Sequence, residues 1–136
     1  YKFNSIPMGF IIIQWNMKGF FNNYCNLQLI MRESDLCVIS LQETHCPYNF
    51  NPIPPKGYNG YFLNSPHNTT SKQGIGILVN TNIPHKQLHT NTSYQVIAIE
   101  ISLNIKFIIL SFWQSRSSCD RVQTYYVSNS LINKNK

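Results

Sequence analysis

Two apolar runs, FIIIQWN at residues 10–16 and LCVISLQET at residues 36–44, stand on either side of a single segment with helical spacing. The first run is short, β-branched and free of a helical period, the pattern of a strand covered on both faces. In the intervening NNYCNLQLIMRES, Tyr24, Leu27, Ile30 and Met31 recur at helical intervals, Asn22 or Asn23 can cap the start, and Ser34 and Asp35 close the segment. Strand, helix and strand within roughly thirty residues make a βαβ unit, which sets its two strands parallel with a right-handed crossover. The carboxyl ends of both strands then share one edge of a sheet, and Asn16 and Glu43 are both predicted there. Ligands of open α/β sheets bind outside the carboxyl ends of strands. A carboxylate ending a buried strand is available for chemistry without burying its charge. The plainer alternative is a solvated strand end at Glu43 and a turn former at Asn16.

The remainder reads as mostly β. Pro47, Pro52, Pro54, Pro55 and Gly57 exclude regular structure from residues 45–60. YNGYFLNS is predicted as a strand, HNTTSKQ as a polar loop, and GIGILVN as a strand whose Gly74 and Gly76 permit close packing or a bulge. No Gly-Lys-Ser/Thr follows those glycines, which argues against a phosphate-cradling loop. SYQVIAIEIS and IKFIILSFW are two further strands, and with Leu103 and Asn104 between them they should form an antiparallel hairpin. Residues 114–136 show no clear period and are expected to be an irregular tail, with at most a short helix around Val122 to Leu131.

Composition narrows the partners. A chain of 136 residues is one domain's worth. Eleven Lys and Arg against five Asp and Glu give a net charge of +6, which favours a polyanionic partner. The cations, Lys18, Lys56, Lys72, Lys86 and Lys106 among them, are scattered, so no basic tail or localisation run stands out. Cys25, Cys37, Cys46 and Cys119 form neither a C-x-x-C nor a zinc-finger spacing and are expected to be free thiols in a reducing compartment. The glycosylation triplets at Asn68 and Asn91 matter only in a secreted chain, and FIII is too short for a signal core or a membrane span. A first residue of Tyr rather than Met fits a fragment.

With IIQWNMKG, LCVISLQETH, GIGILVN and KFIILSFW in this order and spacing, the chain resembles the endonuclease/exonuclease/phosphatase superfamily. Within it, the chain is most similar to the endonuclease domain of non-LTR, jockey-like retrotransposon polyproteins. The resemblance spans residues 10–113, which corresponds to the N-terminal half or so of that domain. It implies an α+β fold: a partial two-layer β-sandwich with flanking helices, DNase I-like and truncated. It also implies a divalent-metal-dependent hydrolase that nicks chromosomal DNA to prime reverse transcription, a nuclear protein fused to a reverse transcriptase. By that resemblance Glu43 is the metal ligand, for Mg²⁺ or Mn²⁺, and Asn16 orients its carboxylate and the scissile phosphate. Oxygen ligands and retained waters suit such an ion, so one carboxylate plus substrate phosphate is a sufficient protein contribution. Gln42 is expected to be structural, His45 a solvated loop residue rather than a general base, and Lys18 a possible phosphate contact.

The resemblance stops after Ser111. The family's Tyr, usually followed by Leu-Pro-Pro, is replaced by Trp113 and QSRSS, and the indole N–H can donate one hydrogen bond to a substrate but cannot accept one. No Gly-Asp-x-Asn or Ser-Asp-His follows, and Asp120 is the only acid after Glu100. An enzyme missing such groups loses several powers of ten in rate, so the chain is expected to be inactive as written. The alternative is a non-catalytic basic module that holds nucleic acid. Without the family's remaining strands, KFIILSFW and its neighbours should expose an apolar face and unpaired edges, and the isolated chain should fold poorly.

Overall fold

The computed structural model describes residues 10–33, 36–65, 73–91, 95–114 and 121–128, with the side chains of 113–114 and 121–128 outside the description. The elements in chain order are β1 (Ile12–Asn16), α1 (Tyr24–Glu33), β2 (Val38–Gln42), β3 (Tyr58–Leu63), β4 (Ile75–Asn80), β5 (His85–Leu88), β6 (Gln95–Ser102), β7 (Lys106–Gln114) and β8 (Arg121–Ser128). They build two four-stranded sheets, ordered β1-β2-β4-β3 and β5-β6-β7-β8, in an α+β sandwich.

The βαβ unit forms as its sequence dictates: β1 and β2 are parallel, in a register that pairs Ile12 with Val38 and Asn16 with Gln42. Both strands therefore end at the same level. The first helical hydrogen bond runs from Leu27 N to Asn23 O (2.9 Å), which makes Asn23 the cap. Its side-chain amide donates backwards to the carbonyls of Met17 (2.7 Å) and Gly19 (3.3 Å), tying the helix start to the loop that leaves β1.

Two apolar layers hold the sandwich. Between the sheets, Val38, Ile75, Ile77 and Val79 meet Ile97, Ile99, Ile101, Phe107 and Ile109, all buried. Each such side chain contributes roughly 1.5–3 kcal/mol of transfer free energy. On the opposite face of the first sheet, Leu27 from α1 packs with Phe20, Ile39, Leu41, Cys46 and Leu78. Ile39 and Leu41 alternate with Val38 and Ser40 along β2, so this strand is buried on both faces.

Five expectations need correction. β1 is covered on both faces only in part: Ile12 packs toward the core between the sheets and Ile13 and Trp15 toward the helix side, yet no residue of this edge strand is fully buried. Ile30, placed on the packing face of α1 by its spacing, is 36% exposed, since this ten-residue helix buries only Leu27 fully. The β6–β7 hairpin pairs Ser102 with Lys106, so its loop has three residues, Leu103, Asn104 and Ile105. Residues 121–128, read as irregular or helical, are a strand antiparallel to β7. Consequently both edges of β7 are paired, contrary to the expectation of open edges there. On its outer face Ile108, Leu110 and Phe112 alternate with the inward residues and are half-buried rather than exposed, while α1, the helix among the described residues, packs on the other sheet.

Candidate active site

The carboxyl ends of β1 and β2 run into two irregular strands of backbone that remain paired. Met17 N donates to Gln42 O (2.9 Å), Gly19 N to Glu43 O (2.9 Å) and Phe20 N to Thr44 O (2.7 Å). From the other side, Thr44 N donates to Gly74 O (3.1 Å) and His45 N to Gln73 O (2.9 Å), while Cys46 O accepts from Ser65 N (2.9 Å). Residues 42–46 are thus clamped between three segments distant in sequence.

That clamp holds an unusual backbone. Lys18, Glu43 and His45 all have positive φ, at 51°, 50° and 56°. For residues other than glycine this costs on the order of 1–2 kcal/mol each, which the surrounding hydrogen bonds must offset. Gly74 has φ 104°, and a Cβ there would run into the Thr44 hydroxyl and stand 3.5 Å from His45 N. Glycine at this position is what lets the lead-in to β4 lie against the Glu43 loop.

The side chains converge as the clamp requires. The Asn16 amide Nδ2 donates to Glu43 Oε2. Glu43 Oε1 lies 3.8 Å from His45 Nε2, with the two side chains about one-third and one-quarter exposed. Thr44, between them, points inward and is fully buried. Gln42 is buried and donates to Ser40 Oγ (3.5 Å), which in turn reaches Ser111 Oγ of the second sheet (3.5 Å). Gln42 thus occupies a polar link between the sheets beneath the site, the structural place expected for it. Burial pushes the Cys46 thiol up, although its hydrogen bond in the Thr44 region pulls the other way.

Of the residues singled out by sequence, the structure brings Asn16 and Glu43 into direct contact and leaves Lys18 exposed on the adjoining loop. The side chain of Trp113 lies outside the described residues. His45 is corrected: it is no freely solvated loop residue, because Nε2 is buried beside Glu43 without a hydrogen-bond partner. Sequence reasoning also missed an apolar slot of about 310 Å³ lined by Phe20, Phe21, Tyr24, Phe50 and Ile53. Phe21 stacks edge-on against Phe50, at a centroid distance of 4.7 Å, yet is 55% exposed. The FF pair after Gly19 was a signal for it.

A divalent ion fits these residues sparingly. Among the described residues Glu43 is the only carboxylate at this edge, and no group of three His, Cys, Asp or Glu side chains occurs. Glu43 keeps one oxygen clear of the Asn16 amide, and the buried, unpartnered His45 nitrogen lies alongside. An ion here would be held chiefly by one carboxylate, water and substrate. No protein-family model matches this chain, and no curated protein matches it. No helix among the described residues is long and apolar enough to cross a membrane.

Proposed function

We propose that this chain is the N-terminal part of a divalent-metal-dependent DNA endonuclease domain of the non-LTR retrotransposon kind, with the DNase I-like sandwich of that superfamily. In this reading it derives from a nuclear parent that nicks DNA and carries a reverse transcriptase. The contact of the Asn16 amide with the Glu43 carboxylate, at the carboxyl ends of two parallel strands, carries the proposal. An amide aimed at a carboxylate fixes which oxygen is left for a ligand and holds the side chain in one rotamer.

The roles follow from the chain's own groups. Glu43 would hold Mg²⁺ or Mn²⁺, an ion that, when bound, polarises a phosphoryl oxygen and offsets charge on the leaving oxygen. Asn16 orients Glu43, and its exposed position lets it meet the phosphate as well. Lys18, exposed one residue from the backbone pairing with Glu43, offers a phosphate contact. The aromatic slot offers ring faces to unpaired bases. The sequence carries no Ser-Asp-His to activate an attacking water, so in this reading the chain as written is a binder of the ion and of DNA rather than a complete nuclease.

Manganese binding tests the proposal. One Mn²⁺ should bind the wild-type chain and be lost in Glu43→Gln, while DNA binding stays salt-sensitive and supercoiled plasmid stays unnicked. Binding unaffected by Glu43→Gln would overturn the reading. The net charge of +6 favours the second reading, a basic module that only holds nucleic acid. In that case Glu43→Ala leaves DNA affinity unchanged or slightly tighter and no ion is bound.

A further inference from the structure

We infer that His45 is a second protein ligand for the ion held by Glu43, which makes the site a nitrogen–oxygen pair suited to a first-row transition ion rather than to Mg²⁺ alone. The inference rests on the assignment of Glu43 as a metal carboxylate and goes beyond it. Distance is the first argument. At 3.8 Å, His45 Nε2 and Glu43 Oε1 are too far apart for a hydrogen bond. Two donors that each sit about 2.0–2.2 Å from one ion stand roughly 3–3.6 Å apart at octahedral or tetrahedral angles, so a small side-chain shift or a wide angle at the ion brings both onto it.

The second argument is satisfaction. His45 Nε2 is shielded from solvent and has no hydrogen-bond partner. A buried polar atom left unpaired loses its hydration without recovering a hydrogen bond. With its ring proton on Nδ1, the imidazole presents a lone pair at Nε2, and coordination would make good that loss.

Placement is the third. Glu43 and His45 flank the inward-pointing Thr44, and both have positive φ, a costly conformation to hold at two positions of one loop. On its other side the ring lies beside Gly19, where an added Cβ would stand 3.8 Å from Nδ1. Imidazole donors suit transition ions better than Mg²⁺, and affinity rises from Mn²⁺ toward Co²⁺ and beyond.

Pulsed electron paramagnetic resonance on the full chain with Mn²⁺ tests the inference without any activity assay. The expected result is a ¹⁴N coupling from a bound imidazole, lost in His45→Asn. Asparagine is chosen because it tolerates positive φ, and retained chemical-shift dispersion would show that the loop still folds. Co²⁺ affinity should fall roughly tenfold or more in His45→Asn, a loss that even outer-shell partners can cause, with Mg²⁺ affinity nearly unchanged. His89→Ala, at an exposed histidine, should leave the coupling intact. An ion released by Glu43→Gln but lacking nitrogen coupling would overturn the role of His45 and leave the Glu43 reading standing. An ion indifferent to Glu43→Gln would overturn both.

Discussion

His45 and His85 are both partly buried, and both lie where a strand ends or begins, yet their surroundings differ in kind. His85 opens β5 with its ring engaged at both nitrogens: Nδ1 donates to Ile83 O at 2.6 Å, and Nε2 accepts from the Tyr61 hydroxyl at 2.9 Å, with Asn59 Nδ2 at 3.4 Å. Burial pushes the Tyr61 phenol up, which keeps it protonated and donating. This imidazole rivets the edge of one sheet to the edge of the other. His45 instead keeps Nε2 buried and unpartnered, 3.8 Å from a carboxylate, on a loop of positive φ. A satisfied ring is spent on architecture, whereas an unsatisfied one beside a charge is available for a ligand.

The contrast can be broken or sharpened by substitution. The largest effect is expected at Glu43: Glu43→Gln should weaken Mn²⁺ binding by roughly a hundredfold, about 2.8 kcal/mol, as read by titration calorimetry. Strength equal to wild type would place the ion elsewhere. Next, Gly74→Ala should destabilise the chain by about 2–3 kcal/mol, because it imposes strained φ and a clash with Thr44. Urea denaturation measures that, and a neutral result would mean that the clamp around residues 42–46 is slack.

His85→Ala should cost about 1–3 kcal/mol by leaving the Tyr61 hydroxyl and Ile83 carbonyl unpaired, while Mn²⁺ binding stays as it is. The reverse pattern, loss of the ion with full stability, would erase the distinction between the two histidines. Lys18→Ala should weaken DNA binding modestly at all sequences and lower the salt slope by about 1, as fluorescence anisotropy across a salt series would show.

The smallest effect concerns pH. The fold holds the Cys46 proton more tightly than the unfolded chain does, so this contribution to stability is complete below the ordinary thiol value of 9.0. It is lost as pH rises through the higher folded value. Cys46→Ala should flatten the alkaline decline in denaturation midpoint, and an unaltered decline would assign it to other groups such as Tyr61.

Much of this was legible in the chain. Residues 10–44 announce their βαβ unit because apolar period, length and caps are local signals, and parallel pairing follows from chain sterics. The strand at 121–128 was missed: Val122, Thr124, Tyr125, Tyr126 and Val127 favour strands, but the polar surroundings concealed it. His85–Leu88 carries no such signal. HKQL becomes a strand because β6 offers it a backbone ladder.

By itself, the sequence determined that Asn16 and Glu43 would end neighbouring parallel strands, since periodicity and connection length act within a few dozen residues. Only the tertiary structure decided that His45 turns its nitrogen toward Glu43. That orientation depends on positive φ at residues 43 and 45 and on pairing to Gln73 and Gly74. Each of these is set by segments roughly 25–30 residues away, through hydrogen bonds that leave no periodic trace in the chain.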